Sequence, residues 1–398
     1  MSEAILCLNA GSSSLKFALF QAAVEPALIA RGQIEGIGTA PRLMVHDAGG
    51  AILAEERWPG GAGHSHDAFL AELLGWVDDH LGTVRLAAVG HRIVHGGADF
   101  AAPVRLDEAI LAKLEALSPL APLHQPANIA AVRAVWTERP GLAQVGCFDT
   151  GFHRTMPRVA TRFALTAELD ALGVRRYGFH GLSYEYIARR LAALDPRLAS
   201  GRVIAAHLGA GASLCALNAG VSLDTTMGFT AVDGLMMATR CGALDPGVLL
   251  YLMQSLGYDA AGIEDLIYRR SGLLGVSGVS SDMRAVQASA TPNAKVAIEL
   301  FIFRIAREAG ALVSTLGGLD GLVFTAGIGE NDAEVRAGVC ERLAWLGVDL
   351  DAAANAADAP VISTPKSVVT VRVIPTDEER MIALHTSATL GIGPAAAA

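Results

Sequence analysis

The chain opens on an apolar run, residues 4–8, enters the turn NAGSSS and leaves through a second apolar run, residues 15–20. Two short apolar runs around a Gly/Ser turn predict paired strands, and residues 28–33 predict a third. The period then changes. Residues 68–80 and 108–117 space their apolar positions for amphipathic helices. The stretch SPLAPLHQPAN (118–128) carries three prolines and reads as a loop or the start of a helix. A zone punctuated by Gly and Pro, residues 139–157, is the first candidate domain boundary. A long helical run, 293–316, ends at Gly317-Gly318, which suits a helix C-terminus. It feeds a short strand, 321–325, and then a Gly loop. The tail IGPAAAA is low in complexity and is expected to fray.

One pattern recurs. VIAAHLGAGASLCALN (203–218) repeats the opening order of apolar run, small-residue turn, Ser-Leu and apolar run, about half a chain later. This predicts a duplicated architecture with one such hairpin in each half. Composition narrows the class. The 398 residues are 52% hydrophobic and 18% charged, enough for a large core and two domains. A net charge of −9 argues against a nucleic-acid partner. The chain has no apolar run of about 18 residues and no signal-peptide pattern at its start, so neither a membrane span nor secretion is expected. The five cysteines are scattered and never form CxxC, and the eleven histidines include no HExxH. Reduced thiols in a cytoplasmic protein without a zinc site are the expectation.

The Gly/Ser turn beside Lys16 suggests a phosphate site. A Walker A loop needs Gly directly before its Lys and a helix after it, whereas Leu15 precedes Lys16 and FALF follows. GAGAS fails the dinucleotide fingerprint because Leu214 stands where the third Gly belongs. What remains is a β-hairpin whose turn amides and serines face a phosphate. Two such hairpins, one per domain, are the arrangement of the actin, sugar-kinase and heat-shock ATPase superfamily.

Within that superfamily the chain resembles the acetokinase family. The motifs that carry the resemblance are LNAGSSSLKF, HRIVHGG (91–97), APLHQPAN (121–128), CFDTGFHRTMP (147–157), RRYGFHGLS (175–183), AHLGAGASLCA (206–216), DTTMGFT (224–230), ATRCGALDPG (238–247), FTAGIGEN (324–331) and IPTDEE (374–379). They stand in family order along nearly the whole chain. The resemblance implies an α/β fold of two duplicated actin-like (ribonuclease H-like) domains facing each other across a nucleotide cleft. The first would span residues 1–149 with about 376–398, and the second residues 150–375, with most nucleotide contacts in the second. It implies reversible transfer of the ATP γ-phosphoryl group to acetate, with propionate as the rival acceptor. A non-catalytic actin-like scaffold is the rival of another class. It also implies a cytoplasmic homodimer.

Joining two anions asks for cations, a metal ion and fixed donors more than for a strong base. Arg92 and Arg240 lie in Gly-flanked motifs and can grip oxygens as forks. By the resemblance Arg92 binds the substrate carboxylate, and Arg240 stabilises the transferring phosphoryl. His180 donates to the transition state, with His124 a second donor, and Asp149 aligns charge. The acyl group would meet Val94, Leu123, Phe179 and Ala231. Nucleotide contacts would come from Ser12, Ser14 and Lys16; from His207, Leu208, Gly209, Ala210 and Gly211; from Asp282, Met283 and Arg284; and from Gly327, Ile328, Gly329, Glu330 and Asn331. Mg²⁺, with Mn²⁺ as its alternative, would be held by Asn9 and Glu378, and Glu379 is the rival ligand. For His91, His95, His153 and His207 a structural role competes with a functional one. Four positions depart from the family pattern: Ala210 for Asn, Gln125 for Asn, Leu182 for Thr and Ala231 for Pro.

Overall fold

The computed structural model describes residues 3–11, 14–58 and 66–392. It divides into two compact units: unit 1 is Met1–Gly151 with Asp377–Ala398, and unit 2 is Phe152–Thr376. Zone 139–157 is not a plain linker. It contains a buried strand, Ala143–Phe148, and the division between units comes only after Gly151.

Among the described residues unit 1 holds β1 (Glu3–Ala10), β2 (Ser14–Gln21), β3 (Ala27–Glu35), β4 (Arg42–Asp47), β5 (Ile52–Arg57), β6 (Arg85–Ile93), β7 (Val104–Arg105) and β8 (Ala143–Phe148). They form one sheet in the order β5-β4-β3-β2-β1-β6-β8-β7. The first three strands run past the apolar stretches that signal them, because ladder bonds continue after the last buried side chain. Strands β4 and β5 carry mixed or largely exposed residues and give no clear alternation in the sequence. One sheet face buries Leu6, Leu8, Phe17 and Leu19 under Phe69, Leu73, Val77 and Val135 from the helices His66–Leu81 and Gln125–Glu138. Each such fully buried Leu or Phe contributes about 1.5–3 kcal/mol. On the other face the helix Glu378–Leu390 packs over β1, β6 and β8. A Cβ at Gly90 would overlap Ile382 and Thr386 of that helix, so β6 needs glycine there.

Unit 2 is built on β9 (Arg202–Leu208), β10 (Ala212–Asn218), β11 (Val221–Thr225), β12 (Gly321–Thr325) and β13 (Thr370–Val373), in the order β11-β10-β9-β12-β13. This matches β3-β2-β1-β6-β8: an antiparallel triplet joined by hairpins, then two parallel strands. The recurring sequence pattern therefore falls on the same pair of strands in each sheet. The turns differ in length, since Gly11 N–H donates to Ser14 O in the first and Gly209 N–H to Gly211 O in the second. Below the sheet, Tyr184, Ile187 and Leu191 of the helix Gly181–Leu194 pack on Val203, Ala205, Cys215 and Val323. The long helix Pro292–Leu316 starts on a Thr291 cap with Pro292 in its first turn, and ends where Gly317 turns left-handed (φ 69°). The segment after β12 is a short helix, Ala326–Asn331, rather than a loop.

Candidate active site

In unit 1 three parallel neighbours, β1, β6 and β8, end along one edge of the sheet and deliver Asn9, Arg92 and Asp149. The C-terminal ends of parallel strands are where α/β sheets place their ligands. Arg92 donates from Nε to Asp149 Oδ1 at 3.0 Å, from Nη2 to Oδ2 at 2.5 Å, and from Nη1 to Asn9 Oδ1 at 3.1 Å. Its Nε lies 3.9 Å from Glu378 Oε2, in the first turn of the helix Glu378–Leu390. Burial works against the Arg92 charge, but Asp149 and then Glu378 hold its pKa above the ordinary value. Burial, opposed by Arg92 and reinforced by Asp149 and Glu379, raises the Glu378 carboxyl above the usual range. Lys16 pairs with Asn9 across β1 and β2, so it stands on the same face, and its charge reaches Glu378.

Asp149, Glu378 and Glu379 thus crowd around one guanidinium. That excess of negative charge fits a divalent cation. Among the described residues no group of three His, Cys, Asp or Glu side chains forms a metal cage. An ion that keeps most of its waters needs only one or two protein oxygens, so such a cage is not required. Val94 is buried just after β6, its N–H bonded to Asn128 Oδ1 at 3.0 Å, and Leu123 is half-buried ahead of the helix Gln125–Glu138. Ser12 lies outside the described residues.

In unit 2 the turn between β9 and β10 meets two other groups. A Cβ at Gly211 would lie 2.8 Å from Arg240 Nη2 and 3.0 Å from His180 Nε2, so both side chains reach this turn. Arg240 is anchored by Nη1, which donates to the Ala231 carbonyl at 2.5 Å. Residue 231 therefore touches Arg240 through its backbone carbonyl. His180 adopts a left-handed backbone (φ 58°) ahead of the helix Gly181–Leu194, a conformation that costs a non-glycine residue about 1–3 kcal/mol. His153 helps to hold it, with Nε2 on the Phe179 carbonyl at 2.9 Å and Nδ1 on Ser222 Oγ at 2.8 Å. The His207 ring stacks on His180 with centroids 4.1 Å apart, and its Nδ1 meets Ser183 Oγ at 2.8 Å.

A cavity of about 860 Å³ opens beside the turn. It gathers Gly209 and Ala210, Asp282, Met283 and Arg284, and Gly327, Ile328 and Asn331. Other expected nucleotide residues stand elsewhere. Gly329 is buried against Phe324 and Ala206, and the Glu330 carboxylate accepts from the N–H groups of Ala326 (2.7 Å) and Thr376 (3.0 Å). His207, Leu208 and Gly211 lie outside the cavity lining, and Phe179, expected at the acyl group, is buried. The sequence reading missed Gln287, Asp332 and Glu334, which also line the cavity; Gln287 Nε2 donates to Asp332 Oδ2 at 3.0 Å. Asp332 directly follows FTAGIGEN, so proximity to that motif was the one available signal.

Three histidines in conspicuous motifs make hydrogen bonds inside their own units. His91 meets Gln144 at 2.6 Å, the His95 ring accepts from Gly97 N–H at 2.9 Å, and both His153 nitrogens are engaged inside unit 2. Gln125 does the same, bonded through its amide to the backbone of His95 and Leu114.

The family model described as the acetokinase family matches residues 4–384. An acetate kinase of Rhodopseudomonas palustris (strain TIE-1) is 55% identical over 391 residues, covering 97% of this chain and 98% of its own. One from Nitrobacter hamburgensis is 50% identical, covering 98% and 96%. The crystal structure of Porphyromonas gingivalis acetate kinase superposes with a TM-score of 0.86 at 40% identity, covering 98% of this chain and all of that one. A propionate kinase from Francisella tularensis gives 0.89 at 36%, covering 96% and 98%. With the sheets, the strand-end residues and these likenesses in agreement, the chain belongs to the acetokinase family.

Proposed function

We propose that this protein is an acetate kinase, transferring the γ-phosphoryl group of ATP reversibly to acetate to give acetyl phosphate and ADP. The observation that carries the chemistry is the tethered guanidinium of Arg92. Asp149 and Asn9 take one N–H from each of its three nitrogens, which leaves one N–H on each terminal nitrogen as a fork for a carboxylate. A carboxylate oxygen attacks the γ-phosphorus, the bond to the β–γ bridging oxygen breaks, and ADP leaves with that electron pair. The acceptor is already an anion at neutral pH, so no general base is required. Arg240 and His180 are the donors for the phosphoryl oxygens, and the small residues of the β9–β10 turn and the Ala326–Asn331 helix admit the nucleotide. Mg²⁺, held by Asn9 and Glu378, would supply charge neutralisation to the phosphates.

The Pro246–Leu256 helix supports a homodimer: it has no buried residue, and Leu250, Tyr251 and Leu256 are each more than half exposed. None of the five cysteines forms a disulfide, in keeping with a cytoplasmic setting, and among the described residues no helix is long and apolar enough to cross a membrane. Propionate is the second reading, favoured by Ala231, which lacks the ring carbons of the proline common in relatives. Incubating the purified protein with ATP, Mg²⁺ and acetate, and following ADP through a coupled assay, is the test. Acetate-dependent ADP release is expected, and its absence would overturn the reading.

A further inference from the structure

We infer that Ser213, backed by Tyr184, is a positioning residue that fixes the tautomer of His180 so that its Nε2 carries a proton toward the transferring phosphoryl group. The inference rests on the acetate kinase reading for its substrates, but the geometry belongs to unit 2 alone. Ser213 sits in β10, fully buried, directly paired with His207 of β9. Its hydroxyl meets His180 Nδ1 at 2.8 Å and the Tyr184 hydroxyl at 2.5 Å. His180 precedes the helix whose first turn carries Tyr184, and both side chains reach the same serine.

The direction of the two protons follows from acidity and basicity. A phenol is a stronger acid than an aliphatic alcohol, and an imidazole nitrogen is a better acceptor than either hydroxyl. The favoured order is therefore Tyr184 O–H to Ser213 Oγ, and Ser213 O–H to His180 Nδ1. With Nδ1 accepting, the proton of the neutral ring stands on Nε2. That nitrogen faces the Gly211 turn beside Arg240 Nη2. Two donors then converge on one place at the phosphate hairpin. The opposite tautomer would turn a lone pair toward an anion and repel it. The hydroxyl echoes Ser14 of the first hairpin in sequence, but here it serves a histidine.

The test uses the full chain. Ser213→Ala should lower kcat about tenfold, the effect of one lost hydrogen bond, with KM for ATP and acetate within about twofold. Tyr184→Phe should lower it by a smaller factor, about threefold. Neither change should lower kcat further in a His180→Ala background, because the effect passes through that ring. Nitrogen-15 spectra of histidine-labelled protein, with the His180 signals assigned by their loss in His180→Gln, should show the Nε2–H form in the wild type. The same spectra should show a mixture in Ser213→Ala. If Ser213→Ala does not fold, Tyr184→Phe carries both the kinetic and the spectroscopic arm. An Nδ1–H ring in the wild type, or losses that persist undiminished in the His180→Ala background, would overturn the inference. A wild-type protein that fails to phosphorylate acetate would instead overturn the functional reading, and the spectra would still decide the tautomer.

Discussion

The two units share a sheet and differ in what they hang on it. In unit 1 the strand ends carry a charge cluster, Arg92 against Asp149, with Asn9 and Glu378 around it. In unit 2 the matching edge carries small residues, a pair of stacked imidazoles tethered by serines, and an arginine held by a neutral carbonyl. One topology thus supports two kinds of chemistry. Strand order decides where side chains emerge, and only the residues at those ends decide whether they handle ions by pairing or by aimed donors.

The largest expected effect tests that contrast. Arg92→Ala and Arg240→Ala should each lower turnover on the order of 10²–10³-fold, as for loss of one preorganised donor. Their stabilities should diverge. Removing Arg92 strands the buried Asp149 carboxylate, which costs about 3–5 kcal/mol, whereas the Arg240 anchor lost in its variant is a hydrogen bond to the neutral Ala231 carbonyl. Chemical denaturation of both variants decides it, and equal stabilities would break the comparison. Lysine at either position should restore activity only in part, because the fork is lost.

A smaller effect separates the two neighbouring glutamates. Glu378→Ala should raise the Mg²⁺ concentration needed for half-maximal activity far more than Glu379→Ala. Titrating Mg²⁺ against rate in both variants measures this, and equal shifts would remove Glu378 from its assigned role.

Unit 1 should also carry a pH signature of its own. Burial lowers the pKa of His91 from 6.5 to about 4. The unfolded chain therefore binds a proton that the folded one refuses between those values, and stability rises with pH across that window. The contribution is present above pH 6.5 and is lost as pH falls toward 4, on the order of 3 kcal/mol. His91→Asn should flatten the slope of unfolding free energy between pH 4 and 6.5. An unchanged slope would show that other groups set it.

The smallest effect concerns the acyl chain. Propionate should be used within about tenfold of acetate in kcat/KM, since one buried methylene is worth roughly 0.8 kcal/mol. Ala231→Pro should move the ratio back toward acetate by a few-fold. Rejection of propionate by more than about a hundredfold would mean that neighbouring side chains already fill the space.

Much of this was legible in the chain. The apolar run, small-residue turn and second apolar run identify a hairpin twice, because local spacing alone dictates it. Arg92, Asp149 and Asn9 stand in motifs at strand ends, and the structure brings them within hydrogen-bond distance. What could not be read depends on contacts distant in sequence. Glu330 looks like a nucleotide residue in FTAGIGEN, but its carboxylate is taken up by backbone 46 residues away. Ser213 and Tyr184 meet only because a helix packs on a strand, and no short motif records that. Strand β5 escaped because an exposed sheet edge has little need to alternate apolar and polar positions, and β4 because Met44 stands between its buried Leu43 and Val45 and hides their alternation.

The order in which the chain visits its units has a consequence during synthesis. The helix Glu378–Leu390 covers one face of the unit 1 sheet, yet it emerges from the ribosome only after all of unit 2. Until then Gly90 and its neighbours on β6 lie bare, and the carboxylate of Glu378 does not exist. Unit 2 is fully made before unit 1 can close. A nascent or prematurely ended chain therefore lacks both the cover of one sheet face and the carboxylate that stands beside Arg92.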